Sequence, residues 1–534
     1  MPKKNLLYSL GWHILTVFSH LQQKCRENNF AAVCFPPDSR KTAIMPPAFF
    51  IPWNRAIPQP VLQDPRIYDT FLKELTGFFP LRSFCPTVTF YISQEMNCML
   101  RFFLVLLFLF SQSLYIPALP AAQAAAEPLK PSATAFYTAK NPAGKRPMLT
   151  WNSVPGAVSY EIELLSRLPE NPNGVLPSRY EITPLRTAYA PGYQADLSAI
   201  LSDRVYWRVR ALDYDKNPIG VFSDAQELVL SNTVRQPLKP LITSDLNWQN
   251  RPAPLYPVYA WIPISATTRY EVELLRRPPE NPNGTEPSVY RIWSKQVTGF
   301  DCYDEAPRIT PGTYYWRVRG IDAAGNPVGV FSGTASFTVE PNRGAYAATL
   351  GDSITHGGGD ISHHPADWEY GYQTYLSFPA VNLGKSGDTS AQIADRFSRD
   401  VLPYQPKYLL ILAGTNSLRG NVPATEVIKD LISLRSQCQA AGIRPIFLTL
   451  PPLRPEAMQR VFQAETAPDW QSKFNRVNEF IRHQDYYIDI APALTGPDGL
   501  LPDYYSVDGL HPGIAGKQKI AQLINENWAR VTAP

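Results

Sequence analysis

Several residues in the last third of the chain have the side chains that hydrolysis of an ester requires. Ser353 can attack a carbonyl carbon, and His511 can take the serine proton and later pass it to the leaving alcohol. Asp508 lies three residues before His511, a spacing at which a tight loop brings a carboxylate to the imidazole Nδ1. The backbone N–H groups of Ser353 and Gly387 and the side-chain amide of Asn416 could bind the developing oxyanion.

The segments around these residues alternate between strand-like and helix-like patterns. Apolar runs lie at 346–350, 378–383, 408–412, 445–450 and 487–490. Helical spacing is found at 422–441 and 468–483, and a last helix is predicted from Pro512 to about Arg530. This alternation predicts a parallel sheet with helices on both faces. With the sheet order 2-1-3-4-5, the carboxyl ends of the first three strands would bring Ser353, Gly387 and Asn416 to one crevice.

Four sequence blocks in this region resemble the signatures of the SGNH (GDSL-type) hydrolases. The blocks are Gly351-Asp-Ser353, Asn382-Leu-Gly-Lys-Ser-Gly387-Asp-Thr, Gly414-Thr-Asn416 and Asp508-Gly-Leu-His511-Pro512. The resemblance covers residues 346–528 and implies an α/β three-layer, flavodoxin-like domain at 345–532. It also implies that the loop of Asp508 and His511 reaches the crevice. One departure is Ser417, where many relatives have aspartate.

The resemblance is greatest to the thioesterase/lysophospholipase and carbohydrate acetylesterase branches of that family. A G-x-S-x-G motif, which would indicate a different α/β-hydrolase, does not occur. Each residue also has a simpler interpretation. Gly387 and Ser353 could be turn residues, Asn416 could cap a helix, and Asp508 could cap the last helix with His511 in its first turn. Their occurrence together and in this order favours the catalytic interpretation.

A glycine- and histidine-rich segment follows Ser353. We expect it to form a mobile rim over the site, in which substrate contacts come from His356, His363, His364 or Trp368. His363 and His364, together with Asp352, His356 and Asp360, could instead ligate a metal. Our prediction is that the enzyme uses neither a metal nor a cofactor.

The region from Pro128 to Glu340 contains two copies of one pattern, offset by about one domain length. For example, Tyr206-Trp-Arg-Val-Arg210 recurs as Tyr315-Trp-Arg-Val-Arg319. Short alternating stretches between Pro, Gly and Asn turns predict all-β sandwiches at 128–233 and 237–340 that resemble fibronectin type III domains. Trp207 and Val209 would face the core, and Arg208 and Arg210 the other side of a half-buried strand.

The two copies share a loop, Glu170-Asn-Pro-Asn-Gly174 and Glu280-Asn-Pro-Asn-Gly284, that has no obvious core role in the sequence. It is therefore the better candidate for an external contact, since the tryptophans are better explained as core residues. The pair of domains would serve as a spacer or would bind cell wall or polysaccharide weakly.

An export signal is predicted at residues 96–126. A basic residue, Arg101, precedes the apolar run 102–110, and an A-x-A site leads to a mature terminus near Glu127. Because such signals begin chains, we expect translation to start at Met96 or Met99, and residues 1–95 to be a non-native extension of low order. The product would be secreted, periplasmic or at the surface of a bacterial cell, with no stable membrane anchor after cleavage.

Charge and cysteine content narrow the function further. The net charge of +4 over 534 residues includes no basic stripe, which argues against nucleic acid as a partner. Only Cys302 and Cys438 follow the export signal, so no disulfide framework is expected. The sequence thus predicts an exported serine esterase acting on small acyl esters, with O-acetyl groups on carbohydrate as the expected substrate. Alternatives are a lysophospholipase or thioesterase, a metal-dependent phosphoesterase, and a non-catalytic surface-binding protein.

Overall fold

A computed structural model describes residues 128–534 apart from 343 and 360–362. These residues belong to one compact unit that spans 122–534. The predicted extension at 1–95 and the predicted export signal at 96–126 lie outside the described residues. Within the described part of the chain, no helix is both long and apolar enough to cross a membrane.

The first β-domain, for which the bounds 128–233 were predicted, consists of two antiparallel sheets that share one apolar core. One sheet has the order β1-β4, and the other has the order β3-β2-β5-β6, with β7 also paired to β5. Trp151, Trp207 and Leu149 are among the buried residues of that core. The strands are β1 Met148–Thr150, β2 Ser159–Leu165, β3 Arg186–Ala188, β4 Gly192–Gln194, β5 Arg204–Leu212, β6 Pro218–Ile219 and β7 Gln226–Val229.

The second β-domain, for which the bounds 237–340 were predicted, repeats this arrangement. Its sheets have the orders β12-β9-β8 and β11-β10-β13-β14, with β15 paired to β13. The strands are β8 Leu241–Ile242, β9 Val258–Ile262, β10 Arg269–Leu275, β11 Arg291–Val297, β12 Asp301–Tyr303, β13 Gly312–Ile321, β14 Pro327–Val328 and β15 Ala335–Val339. Both domains are therefore all-β, while their assignment to the fibronectin type III class stays a prediction.

The strand β5 is buried on both faces at its centre, which corrects the predicted half-buried strand. The side chains of Arg208 and Glu163 are 0% exposed, and they pair through Nε and Oε2 at 2.5 Å. The Arg208 guanidinium stacks on Phe222 and also donates to the main-chain and side-chain oxygens of Asn171, at 3.0 Å each. The buried charge of Arg208 is tolerated because it is paired with a carboxylate and because oxygen atoms accept its remaining hydrogen bonds.

The second β-domain contains the same buried cluster. Arg317 pairs with Glu273 at 2.6 Å and donates to the two oxygens of Asn281 at 2.7 and 2.8 Å. The repeated Glu-Asn-Pro-Asn-Gly loop therefore has an internal role that the sequence did not reveal, because its first asparagine ties the loop to a buried arginine.

The C-terminal region contains a five-stranded sheet in which every pairing is parallel. Its order, β17-β16-β18-β19-β20, is the order 2-1-3-4-5 on which the expected crevice depends. All five predicted strands are present, since each apolar run contains or overlaps one of them. The strands are β16 Ala347–Gly351, β17 Ala380–Asn382, β18 Tyr408–Leu412, β19 Arg444–Leu448 and β20 Tyr487–Ile488.

The helices of this region include the three that were predicted and several shorter ones that were not. The last helix begins two residues after the predicted Pro512, since residues 508–513 form an irregular loop. The helices are α1 Ser353–His356, α2 Ser390–Asp395, α3 Phe397–Asp400, α4 Thr415–Arg419, α5 Ala424–Ala440, α6 Pro455–Phe462, α7 Trp470–Arg482 and α8 Ile514–Thr532.

The second β-domain covers the edge of this sheet next to β17. The N–H of Leu255 donates to the carbonyl oxygen of Asn382 at 2.9 Å, so an irregular segment pairs with the edge strand. Leu255 and Tyr256 are buried in the same apolar cluster as β16 and β18. The apolar core of the C-terminal region thus includes residues from the preceding domain, and an edge that could pair with another chain is blocked.

The first β-domain also contacts the C-terminal region, at helix α6. Tyr214 donates through its hydroxyl to the carbonyl oxygen of Arg460 at 3.0 Å, and the Arg460 guanidinium pairs with Asp215 at 3.1 Å. Both members of the ion pair are about half exposed, so it adds little stability.

Candidate active site

Ser353 lies where strand β16 ends and helix α1 begins. Gly351 is the last residue of the strand, and a Cβ there would lie 2.4 Å from the carbonyl oxygen of Leu412 on β18. Asp352 caps α1 by accepting the N–H of Ile354 at 3.0 Å. As the first residue of the helix, Ser353 has a backbone N–H without an intrahelical acceptor, which leaves it available as an oxyanion donor.

Ser353, His511 and Asp508 form one hydrogen-bonded chain. Ser353 Oγ lies 2.9 Å from His511 Nε2, and His511 Nδ1 lies 2.9 Å from Asp508 Oδ2. With the Nδ1 proton donated to the carboxylate, Nε2 can accept the proton of the serine hydroxyl. Ser353 and His511 are 158 positions apart in the sequence, and the structure brings them together. The hydrogen bonds run from nucleophile to base to carboxylate, as nucleophilic catalysis requires.

Asp508 is held in the orientation that the imidazole needs. Its side chain is 0% exposed, and Oδ1 accepts the N–H groups of Leu510 and His511 at 2.8 and 2.7 Å and the hydroxyl of Ser506 at 3.1 Å. Burial by itself would raise the pKa of Asp508. The charge and hydrogen bonds of His511 and the N–H of Leu510 outweigh it, so this pKa lies below its ordinary value. Asp508 therefore stays ionised beside the histidine.

The loop after β17 places Gly387 at the open side of the site. Its φ of +87° lies in the region that favours glycine, and apart from its two chain neighbours no residue has an atom within 4 Å of the position that a Cβ would occupy. The same loop passes close to α1, because a Cβ on Gly384 would lie 2.3 Å from the backbone nitrogen of His356. The N–H of Lys385 donates to Gly351 at 3.0 Å, which joins the loop to β16.

The side chain of Asn416 is fixed by bonds at both ends. Its Nδ2 donates to the carbonyl oxygen of Asp388 at 3.0 Å, and its Oδ1 accepts from Nε of Arg419 at 2.9 Å. The amide carries two hydrogens, so the second remains available as an oxyanion donor. The structure places Ser353, Gly387 and Asn416 after β16, β17 and β18, which are adjacent strands.

The four predicted substrate-contact residues have partners in the β-domains. His356 is buried, with Nε2 at 2.7 Å from the carbonyl oxygen of Tyr256. His363 Nε2 lies 2.8 Å from the carbonyl oxygen of Ala157. The other two make ring contacts: His364 with Phe300 at 6.0 Å and Trp368 with Trp248 at 3.8 Å between centroids.

These contacts place the described residues of the histidine-rich segment at the boundary with both β-domains, and the predicted mobility of this segment stays a prediction. Its predicted contact with substrate stays a prediction. Asp360, one of the alternative metal ligands, lies outside the described residues. Among residues 128–534 other than 343 and 360–362, no group of three or more His, Cys, Asp or Glu side chains is arranged to hold a metal ion.

Comparison with known proteins assigns this region. Residues 349–519 match the GDSL-like lipase/acylhydrolase family. The C-terminal region is a GDSL-like hydrolase domain. The protein is therefore an enzyme, a serine hydrolase that acts on ester bonds. A search of curated proteins found no match.

Solved structures similar to the GDSL-like domain include two bacterial enzymes. A GDSL-like lipase from Bacteroides thetaiotaomicron is 22% identical, covering 34% of this chain and 87% of its own, with a TM-score of 0.29. The lipase/acylhydrolase from Enterococcus faecalis is 22% identical, covering 36% of this chain and 98% of its own, with a TM-score of 0.28.

The departure at Ser417 is compensated within the GDSL-like domain. The hydroxyl of Ser417 accepts the N–H of Ser390 at 2.9 Å, at the start of helix α2. The hydroxyl of Ser390 in turn donates to Asp430 on α5 at 2.6 Å. Ser417, the residue after Asn416, is thus linked through Ser390 to a carboxylate on another helix.

Two buried cations of the GDSL-like domain support the site and were not predicted. Arg396 bonds Asp388 at 2.6 Å, and it also donates to the carbonyl oxygens of Gly351 and Leu383 at 2.9 and 2.8 Å. Lys517 donates to the carbonyl oxygen of Ile354 at 2.5 Å. Arg396 lies between helices α2 and α3, and Lys517 lies near the start of α8.

Asp352 differs from Asp508 in the direction of its pKa shift. It is buried, and this burial raises its pKa to about 6, although the N–H of Ile354 and the nearby His511 and Lys517 act in the opposite direction. The GDSL-like domain therefore has one carboxyl that is ionised beside the histidine and one that titrates close to neutral pH.

Proposed function

We propose that this enzyme is an exported serine esterase that removes small acyl groups, above all O-acetyl groups, from carbohydrate. The observation that carries the proposal is the hydrogen-bonded chain from Ser353 through His511 to Asp508. The predicted export signal and the two β-domains favour an extracellular polymer as the substrate. The fibronectin type III assignment of those domains, and their contact with cell wall or polysaccharide, belong to the same proposal.

In the first half of the reaction, the Ser353 oxygen attacks the ester carbonyl carbon while His511 Nε2 takes the hydroxyl proton. The carbonyl oxygen becomes negatively charged and is bound by the N–H groups of Ser353 and Gly387 and by Nδ2 of Asn416. When the tetrahedral intermediate collapses, the bond to the alcohol breaks and His511 donates its proton to the leaving oxygen. The acyl group remains on Ser353.

In the second half, water replaces the alcohol. His511 takes a proton from the water as its oxygen attacks the acyl carbon, and the same donors bind the second oxyanion. Collapse releases the carboxylic acid and returns the proton to the serine oxygen. The ionised Asp508 stabilises the imidazolium that forms in both halves.

The test is hydrolysis of p-nitrophenyl esters from acetate to palmitate by the purified enzyme, together with acetate release from an acetylated polysaccharide. We expect activity on the acetate ester and a fall in kcat of about 10⁴ or more in Ser353→Ala. Ser398→Ala is the control, because Ser398 is an exposed serine on another short helix and should leave kcat unchanged.

Other outcomes would change the proposal. A preference for long acyl chains would support a lysophospholipase or thioesterase instead. Equal activity in Ser353→Ala and the unaltered enzyme would overturn the role of Ser353 as the nucleophile. Activity that disappears with a chelator and survives a serine-directed phosphonate would indicate a metal-dependent mechanism, as the phosphoesterase alternative requires.

A further inference from the structure

Tyr256 belongs to the second β-domain, but its polar partners Asp400 and His356 lie on helices α3 and α1 of the GDSL-like domain. The residue is 1% exposed and is part of the apolar cluster of the GDSL-like domain. Its hydroxyl donates to Oδ2 of Asp400 at 2.6 Å, and its carbonyl oxygen lies 2.7 Å from Nε2 of His356. One residue of the β-domain thus makes two separate polar connections.

The hydroxyl connection runs through Asp400 and Arg396 to Asp388, the residue after Gly387. Asp400 accepts from Arg396 Nη1 at 3.0 Å, and Nε of that arginine donates to Asp388 at 2.6 Å. The carbonyl oxygen of Asp388 accepts from the amide of Asn416. Each of the three charged residues is 6% exposed or less, so these bonds act in a low-dielectric interior where they are strong.

The carbonyl connection leads to the other side of Gly387. Burial lowers the pKa of His356 to about 4, so its imidazole is neutral and carries a single proton. With that proton on Nε2 and donated to the carbonyl oxygen of Tyr256, Nδ1 can accept from the hydroxyl and the N–H of Ser386, at 2.9 and 3.3 Å. This assignment uses every polar atom of the ring.

Gly387 itself has few constraints, because its positive φ and open surroundings leave no side chain to hold it. Its position is therefore set by Ser386 and Asp388. We propose that Tyr256 is a positioning residue for the oxyanion hole, which fixes the Gly387 N–H and the Asn416 amide from outside the hydrolase domain. The proposal rests on the esterase function proposed above.

The chain offers a matched control in the same β-domain. Tyr259 is also fully buried, and its hydroxyl donates to Asp304 at 3.0 Å, a carboxylate that is paired with Arg308. Replacing either tyrosine with phenylalanine removes a hydroxyl that donates a hydrogen bond to a buried carboxylate. Only Tyr256 has the two connections that end at the residues flanking Gly387.

The experiment compares Tyr256→Phe with Tyr259→Phe in the full chain. We expect both to lower the urea midpoint of unfolding by similar amounts. Only Tyr256→Phe should lower kcat for p-nitrophenyl acetate, by about tenfold, with KM changed less than about twofold, because the oxyanion forms after binding. Affinity for a boronic acid, which imitates the tetrahedral intermediate, should fall by a similar factor.

Two results would overturn the proposal: a kcat of Tyr256→Phe within twofold of the unaltered enzyme, or an equal loss in Tyr259→Phe. If Tyr256→Phe does not fold, Arg399→Ala replaces it. Arg399 is half exposed and donates to both the Tyr256 hydroxyl and Asp400, and a kcat unchanged by its loss would equally contradict the proposal. Ser353→Ala distinguishes a failure of this proposal from a failure of the proposed esterase function, since full activity in that variant would refute the esterase mechanism itself.

Discussion

Replacing Asp508 with asparagine should trap His511 in the wrong tautomer. Three donors converge on Oδ1 of Asp508, two of them backbone N–H groups that cannot move away. An asparagine would keep its oxygen at this position and turn its NH₂ group toward Nδ1 of His511. The imidazole would then accept at Nδ1 and carry its proton on Nε2, where it could no longer take the proton of Ser353.

The expected loss is large because the shape of the site stays the same while its chemistry fails. A base held in the wrong tautomer in a serine triad lowers kcat by about 10⁴, which corresponds to about 5.4 kcal/mol in the activation free energy. The assay is steady-state hydrolysis of p-nitrophenyl acetate, with urea unfolding as a check that the variant is folded. KM should change little, since the binding groups remain in place.

Ser506→Ala is the matched control for this experiment. It removes the longest of the three bonds to Oδ1, at 3.1 Å, and leaves both backbone donors in place. We expect a change in kcat of less than about threefold. If Asp508→Asn were to keep more than a tenth of the activity, or if Ser506→Ala lost as much, the tautomer argument would be wrong.

Two further predictions concern neighbouring groups. Asn416→Ala should lower kcat by 10² to 10³ with little change in KM, since it removes one oxyanion donor, and a loss below tenfold would exclude that role. Asp352→Asn should change the pH dependence of stability. The folded protein keeps the Asp352 proton up to about pH 6, whereas the ordinary pKa is 3.8. The stabilisation from this proton is therefore complete below about pH 4 and lost as the pH rises through 6. Urea unfolding should show Asp352→Asn gaining about 1 kcal/mol or more relative to the unaltered protein between pH 5 and 7.5, and an unchanged difference would contradict the raised pKa.

The strands of the hydrolase domain could be predicted because each lies in a short, mainly apolar run. A parallel strand covered on both faces needs such a run, so a few consecutive residues are enough to locate it. The geometry of Asp508 and His511 was equally accessible, because a separation of three residues limits where the carboxylate can lie. In both cases the information lies within a few consecutive residues.

The contacts of Arg208 and the histidine-rich segment could not be predicted in this way. Arg208 stands at an outward position of an alternating strand, and its burial depends on partners that are distant in the sequence, among them Glu163 and Asn171. His363 is 206 positions from its partner Ala157. Sequence periodicity describes one element at a time, so it cannot show that a polar residue will meet a matching group on another domain.

The pairing of Leu255 with Asn382 also has a consequence for the order in which the protein is made. Domains tend to fold as they emerge during synthesis, N-terminal first. The second β-domain can therefore be complete while residues 345–534 are still being added. Its segment of Leu255 and Tyr256 then offers a ready-made neighbour to β17, the edge strand, as soon as that strand appears. The second β-domain would thus pair with the edge strand β17 early, and the unpaired edge would be exposed to other unfinished chains for a shorter time.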